Sequence, residues 1–212
     1  VLTSTGNAAA EWRRRLESKI EPPYEEIAVF TWEQFGERLL RSHPAASGLE
    51  PGFEVVGPAE RLAMLLVSFD ELPLRNHQIR GNPTGLMKRL MRRIDESKRE
   101  GHSAADLRSR AEAMEETEAK REIELSELLE IHDSRLAGLG CVDEYDVCSL
   151  AARMISDTPD LGSAIAERSP HLVIDELEDL TPVRANLMAA LAPAITSVAA
   201  SLDESRASFG PG

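Results

Sequence analysis

The chain has 212 residues, of which 42% are hydrophobic and 29% charged, and its formal net charge at pH 7 is −13. This length allows one domain, or one domain that carries an insertion, and the composition excludes collagen-like, low-complexity and disordered proteins. Because phosphates repel a protein this acidic, a general polyanion binder is excluded too, and any contact with nucleic acid has to be local.

The amino-terminal part predicts alternating strands and helices. Residues 1–5 are apolar and β-branched, which predicts the end of a strand, and residues 26–31 predict a second short, buried strand. Helices are predicted over residues 8–20, where apolar side chains recur at helical spacing, and over residues 32–41. Residues 42–58 are rich in proline and glycine, which predicts a loop or a domain edge.

The middle of the chain is helical by pattern, and its charges are segregated. Helices are predicted over residues 58–70 and 86–99, and a long one continues from the acidic stretch 112–133. The preceding stretch, 80–110, is basic. Both charge runs are typical of solvated helix faces. A second interpretation stays open, in which phosphates are contacted by Lys88, Arg89, Arg92 and Arg93.

The carboxyl-terminal part returns to strands and helices. After a predicted helix over residues 142–158, residues 167–182 contain an apolar strand that ends abruptly in acidic residues. A helix is predicted over residues 183–191, a second apolar run occupies 194–200, and residues 201–212 are polar and loop-like. The whole pattern predicts a parallel α/β domain that is interrupted by a helical insertion.

Cysteine usage and hydropathy indicate the redox state and the cellular compartment of the protein. Cys141 and Cys148 show neither a disulfide framework nor zinc spacing, so we expect a reduced chain with both thiols in the core. The five histidines are scattered and predict no metal cluster. No apolar run reaches the roughly 18 residues of a membrane span, and no signal peptide is apparent, which favours a cytoplasmic protein without a membrane partner.

The segment H-L-V-I-D-E, residues 171–176, carries the strongest chemical signal. Ligands of open α/β sheets bind at the carboxyl ends of the strands, where Asp175 and Glu176 are expected. An aspartate there can hold a Mg²⁺ ion that bridges nucleotide phosphates, and a neighbouring glutamate can orient or deprotonate the attacking water. The alternative is a strand followed by an acidic helix start, since acidic residues favour helix N-termini.

Ordered motifs along nearly the whole chain resemble the UvrD/Rep-type superfamily 1 DNA helicases. L-T-S-T-G-N-A-A-A-E-W-R-R-R-L, residues 2–16, is similar to motif Ia, L-T-F-T-N-K-A-A-x-E-M-x-x-R-L. L-V-I-D-E-L-E-D-L-T-P, residues 172–182, resembles the Walker B element, I-L-V-D-E-F-Q-D-T-N-P. Residues 198–212 resemble motif III, V-V-G-D-D-D-Q-S-I-Y-G-F-R-G-A. Weaker matches are G-T-F-H-S-F-x-x-x-L-L-R with residues 29–41 and G-L-V-D-F-D-D-L with residues 139–146.

This resemblance implies a P-loop NTPase fold, a partial RecA-like parallel sheet with a mostly α-helical inserted subdomain. Residues 1–35 and 167–212 would be the two parts of the RecA-like domain, and residues 36–166 the insertion. The P-loop would precede the chain and a second RecA-like domain would follow it. We therefore expect a fragment that is inactive alone.

The resemblance also implies roles for individual residues. Asp175 would hold Mg²⁺ and Glu176 would be the catalytic base for ATP hydrolysis, so ATP and Mg²⁺ are the expected cofactors. Glu178 and Glu204 occupy positions that bind ATP in the family. The partner would be single-stranded or partly duplex DNA, along a path that is lined by Thr3, Thr5, Thr31 and Phe209.

Some positions depart from the family pattern. Glu178 and Glu204 replace glutamines, and an ionised carboxylate repels a phosphate instead of donating a hydrogen bond to it. Further departures are Ser4, Asn7, Glu33, Ser201, Leu202, Ala207 and Gly210.

Three functions stay open at this point. The first is an ATP-dependent DNA helicase or translocase that acts in repair or recombination. The second is a degenerate, non-motor subunit that scaffolds a helicase–nuclease complex. The third is an acidic helical interaction module, which a parallel sheet joining residues 1–5, 26–31, 171–175 and 194–199 would exclude.

Overall fold

The computed structural model describes residues 1–21, 27–77 and 81–203. The chain forms two compact units. The first, which we call the sheet unit, comprises Val1–Gly48 and Val147–Gly212, and the second, the helical unit, comprises Leu49–Asp146. The helical unit is thus shorter at both ends than the insertion predicted over residues 36–166.

The described part of the chain contains six strands and ten α-helices. The strands are β1 (Leu2–Thr3), β2 (Phe30–Thr31), β3 (Glu54–Val56), β4 (Cys141–Asp143), β5 (His171–Ile174) and β6 (Ser197–Ala200). The helices are α1 (Gly6–Glu17), α2 (Trp32–Ser42), α3 (Pro44–Ser47), α4 (Pro58–Val67), α5 (Pro83–Arg99), α6 (Ala104–Ala111), α7 (Glu116–Gly138), α8 (Glu144–Asp157), α9 (Pro159–Arg168) and α10 (Pro182–Leu191).

Among the described strands, four form a parallel sheet in the order β2-β1-β5-β6. Leu2 of β1 is in register with Phe30 of β2 on one side and with Ile174 of β5 on the other. All neighbouring pairs are parallel, so the carboxyl ends of the four strands lie at one edge. This sheet confirms the predicted α/β class and excludes the acidic helical module.

Local chemistry explains where the helices beside the sheet begin. The Thr5 side chain accepts a hydrogen bond from the Ala8 N–H and caps α1. Thr31 and Gln34 form a capping box at the start of α2, in which each side chain bonds the other residue's backbone N–H. In α10, Pro182 lies in the first turn, where its missing N–H is not needed.

The structure adds elements that the sequence did not predict. Residues 42–58, predicted as a loop or a domain edge, contain α3, the boundary between the two units and β3. The helix predicted over residues 142–158 is α8, which begins at Glu144 because Cys141–Asp143 form a strand. That strand, β4, pairs in parallel with β3, and Val55 faces Val142 in the register. Two three-residue strands so far apart in the sequence have no local signal. Helices α6 and α9 were not predicted.

The helical unit packs around leucine and methionine side chains of α4, α5 and α7, with Leu65, Met87, Ile94 and Leu128 all fully buried. It also buries charged groups. Arg61 is fully buried and donates hydrogen bonds to Asp95 at 2.7 Å and to His132 Nε2 at 2.9 Å. Lys98 Nζ donates bonds of 2.6, 2.7 and 2.6 Å to Asp133, Asp143 and Asp146.

Candidate functional site

The candidate site lies at the carboxyl edge of the parallel sheet, in the sheet unit. Thr3 ends β1, Thr31 ends β2, Asp175 follows β5 and Ser201 follows β6. Because the strands are parallel and in register, these four residues come to one edge although they are far apart in the sequence. The sequence predicted three of them as site residues, and Ser201 appeared there only as a departure from the family pattern.

Asp175 is held on both carboxylate oxygens. The indole N–H of Trp12, in α1, donates to Asp175 Oδ2 at 2.6 Å, and the Ser201 hydroxyl donates to Oδ1 at 2.6 Å. The backbone N–H of Asp175 donates to the Leu2 carbonyl at 2.9 Å, which continues the pairing of β5 with β1. The position of this carboxylate is therefore set by three separate segments.

Glu176 has an unusual backbone conformation. Its φ and ψ are 57° and 59°, and among the described residues it is the one non-glycine residue with a positive φ. The left-handed conformation costs an L-residue roughly 1–2 kcal/mol. Two hydrogen bonds stabilise it: the Glu176 N–H donates to Ser201 Oγ at 3.1 Å, and the Leu177 N–H donates to the Ser201 carbonyl at 3.0 Å. Strain of this kind is common at functional sites.

The three threonines differ in how accessible they are. Thr3 is fully buried and its hydroxyl donates to the Thr5 carbonyl at 3.0 Å. Thr31 is also buried, and its hydroxyl caps α2. Thr5 is exposed at the start of α1, although its hydroxyl accepts the Ala8 N–H. Of the three, Thr5 presents the most surface to a ligand at this edge.

Of the two glutamates predicted to bind ATP, the structure describes one. Glu178 is half-buried, and its Oε2 accepts a hydrogen bond of 3.3 Å from the Asp203 N–H. It therefore lies beside the segment that follows β6. Glu204 and Phe209 lie outside the described residues.

An ion pair near this edge was missed by the sequence analysis. Glu33 Oε1 accepts hydrogen bonds from Arg184 Nε at 3.0 Å and Nη2 at 2.8 Å, and Arg184 Nη1 donates to the Asp179 carbonyl at 3.4 Å. The acidic side chain at Glu33, where the family pattern has histidine, was a sequence signal for a cationic partner. The sequence analysis assigned no role to Trp12, which lies in the helix predicted over residues 8–20.

The side chains at the edge fit a hard divalent cation. Asp175, Glu176 and Ser201 present carboxylate and hydroxyl oxygens, the ligand atoms that Mg²⁺ prefers either directly or through its waters. No nitrogen or sulfur ligand competes among the described residues that follow β5 and β6. The chain contains no G-x-x-x-x-G-K-[ST] segment, so the lysine that would hold nucleotide phosphates is not part of it.

A comparison with protein families decides the class. The UvrD/REP helicase N-terminal domain matches residues 1–200. The chain belongs to the UvrD/REP helicase family. It is therefore part of a DNA helicase family whose members use a nucleotide and bind DNA. No curated protein matches the chain. Among the described residues, no helix combines the length and the apolar character that crossing a membrane requires.

A second titratable cluster of this helicase-family chain lies in the helical unit. Ligand atoms of His132, Asp133 and Asp143 lie within 4.8 Å of one another, a grouping that the sequence did not predict. The Lys98 ammonium already occupies the space between the carboxylates of Asp133 and Asp143. We assign this cluster to stabilisation of the fold.

Two further predictions concern side chains away from the edge. Cys148 is buried, and burial raises the pKa of its thiol to about 12, as expected for a core cysteine rather than a reactive one. Cys141, which we expected in the core as well, is only half-buried. Of the four basic residues proposed to contact phosphates, Arg93 bonds to the carboxylate of Glu122. Lys88, Arg89 and Arg92 are exposed on α5.

Proposed function

We propose that the protein that contains this chain hydrolyses ATP at the carboxyl edge of the sheet and couples the hydrolysis to movement along single-stranded DNA. The observation that carries this proposal is the pair Asp175 and Glu176 at the end of β5, with Glu176 in a left-handed backbone conformation. Strand separation during repair or recombination in the cytoplasm is the setting that we propose.

Each residue of the pair has a distinct task in this proposal. A Mg²⁺ ion held by Asp175 would supply positive charge beside the nucleotide phosphates. Asp175 is suited to this task because two hydrogen bonds fix its carboxylate at the end of β5. Glu176 accepts the proton of the attacking water, as a carboxylate at hydrogen-bond distance from that water can. Because the backbone of Glu176 is left-handed, the extended conformation of β5 does not continue through this residue.

DNA would cross the same edge. Thr5 is exposed there, next to the buried Thr3 and Thr31, and Phe209 is the aromatic residue that we propose stacks on a base. Because the chain carries a net charge of −13, stacking and hydrogen bonds to threonine and backbone groups must contribute more than unspecific charge attraction. We propose that residues 1–35 and 167–212 form the RecA-like domain and that residues 36–166 are its insertion.

Substitutions at the pair test this proposal. In the full-length protein, D175N and E176Q are each expected to lower DNA-stimulated ATP hydrolysis by about 100-fold or more, the range for loss of a general base. E176Q is expected to keep ATP binding, because the amide removes only the basic group. E17Q, at an exposed position of α1, is the matched control. Unchanged hydrolysis in both variants would contradict the proposal.

The second candidate is the non-motor scaffold, and the Glu178 carboxylate beside Asp203 favours it. The family pattern has a glutamine at this position. The carboxylate of Glu178 would instead add negative charge near the phosphates of a bound ATP and repel them. Replacing both acids by glutamine, E178Q with E204Q, tests whether they weaken a motor. Higher DNA-stimulated hydrolysis means that the acids are lesions in a weakened motor. Unchanged or lower hydrolysis means that these two acids do not weaken the motor. Coding sequence upstream of Val1 adds a second check, since a P-loop without its lysine supports the scaffold.

A further inference from the structure

Both oxygens of Asp175 accept a hydrogen bond of 2.6 Å, and the two donors come from different segments. Trp12 is in α1, 163 residues away, and Ser201 follows β6. An indole N–H can only donate, so the Trp12 contact has one possible direction. Each carboxylate oxygen has two lone pairs and so keeps one acceptor site free after these bonds. The plane of the carboxylate, and with it the direction of the remaining lone pairs, is thereby set.

The Ser201 hydroxyl also connects Asp175 to Glu176. While it donates to Asp175 Oδ1, it accepts the Glu176 N–H at 3.1 Å. Its backbone N–H donates to the Ile174 carbonyl at 2.9 Å, which fixes the residue at the end of β6. One side chain therefore orients one carboxylate and stabilises the left-handed backbone of the next residue.

This arrangement belongs to the chain itself and not to the family motifs. Trp12 stands where the motif Ia pattern has methionine, whose thioether cannot donate a hydrogen bond. Ser201 stands where motif III has an aspartate, which when ionised can only accept. Two departures at distant positions thus supply the two donors that meet at Asp175. Independent losses at these positions would not be expected to converge on one carboxylate.

We infer that Trp12 and Ser201 are positioning residues that set how Asp175 holds a divalent cation. The inference rests on the proposed function, because the cation is the Mg²⁺ of the ATPase. Without either donor the carboxylate can rotate, and its lone pairs no longer point in one direction. Loss of partners that orient a metal-binding carboxylate commonly weakens metal binding 10- to 100-fold.

A Mg²⁺ titration of ATP hydrolysis by the full-length protein, with a single-stranded oligonucleotide present, tests this. W12F and S201A are expected to raise the half-saturating Mg²⁺ concentration about 10-fold, with a smaller change in kcat. S201T keeps the hydroxyl and is expected to behave like the wild type. S197A is the matched control, because Ser197 lies at the other end of β6 and contacts His171. If W12F folds poorly, the comparison of S201A with S201T still tests whether a hydroxyl at position 201 sets the Mg²⁺ dependence.

The hydrogen bond between Trp12 and Asp175 can be tested directly by NMR, without an activity assay. In protein labelled with ¹⁵N-tryptophan, the Trp12 indole N–H signal is identified by its absence in W12F. D175N is expected to shift this signal, because a neutral amide accepts a hydrogen bond less strongly than a carboxylate. S201A is expected to shift it less, and E17Q not at all. A Trp12 signal that D175N leaves unmoved would overturn the inference.

The two proposals fail in different ways. If D175N and E176Q leave hydrolysis unchanged, the proposed function is wrong, whereas the indole signal still reports whether Trp12 and Asp175 are bonded. If hydrolysis depends on Asp175 and Glu176 but W12F and S201A leave the Mg²⁺ dependence unchanged, the inference is overturned and the proposed function stands. The inference is supported if the half-saturating Mg²⁺ concentration rises in S201A and stays at the wild-type value in S201T.

Discussion

Asp175 and Glu176 are adjacent in the sequence, but hydrogen bonds hold them in different ways. Asp175 is held through its side chain, by Trp12 and Ser201, whereas Glu176 is held through its backbone. The sequence was sufficient to single out both residues, because two acids directly after an apolar strand are a local pattern. It could not identify Trp12 as a partner, since that contact requires α1 and the end of β5 to be neighbours.

A glycine shows how closely side chains are packed at the residue scale. A Cβ added to Gly36 of α2 would lie 2.9 Å from Val147 Cγ1 and 3.2 Å from the Val147 carbonyl oxygen. Val147 is fully buried and cannot move away cheaply. We expect G36A to destabilise the protein by about 1–2 kcal/mol, because overpacking outweighs the gain in helix propensity.

Chemical denaturation of G36A measures this effect. G138A is the matched control, because nothing lies within 4 Å of a Cβ added to Gly138 in α7. A G36A protein as stable as the wild type would show that α2 and Val147 are not in close contact.

At the scale of elements, the buried charges of the helical unit connect two helices and a strand. Lys98 of α5 bonds to Asp133 of α7 and to Asp143 of β4, and Asp143 caps the start of α8 through the Tyr145 and Asp146 N–H groups. Burial alone would lower the pKa of Lys98, but the carboxylates outweigh it and raise that pKa. The ammonium therefore stays charged throughout the neutral and acidic range.

Asp146 gives this network a pH dependence. Burial raises the pKa of Asp146 to about 6, and Asp143 and Asp133 add to the effect while Lys98 opposes it. Since this pKa exceeds that of the unfolded chain, the folded state binds an extra proton between about pH 4 and 6. The contribution to stability is therefore present at low pH and is lost as the pH rises through 6. Asp133, whose pKa is lowered, acts only at still lower pH.

The expected result is a difference between two stability profiles. As the pH falls from 7 to 4.5, the wild type should gain about 1 kcal/mol relative to D146N, an amount reduced by the partial exposure of Asp146. Denaturant unfolding at several pH values measures it. D70N, an exposed position of the same unit, is the control. A constant difference between wild type and D146N would show that Asp146 titrates normally.

At the scale of the whole molecule, charge limits how DNA can be bound. The chain carries 37 acidic and 24 basic side chains, so no broad basic surface is expected. Most described basic residues of the helical unit pair with acids, among them Arg93, Arg108 and Arg110. Lys88, Arg89 and Arg92 of α5 are exposed and adjacent on one helix.

The triple variant K88A/R89A/R92A distinguishes the two interpretations of α5. We expect it to leave the affinity for single-stranded DNA and its salt dependence unchanged, because a solvated helix face makes no phosphate contact. If the three residues contact phosphates, the slope of log affinity against log salt should become shallower by about 2, at roughly 0.7 per contact. E54Q, an exposed site elsewhere in the helical unit, serves as the control.

The sequence by itself determined the four strands of the parallel sheet, the acidic strand end and the family, because all three depend on local patterns or on ordered motifs. Tertiary structure alone decided the pairing of β3 with β4, the burial of Lys98 among three carboxylates and the two hydrogen bonds to Asp175. Each of these joins segments that are distant in the chain, and hydrogen-bond geometry over such distances leaves no periodic signal in a single sequence.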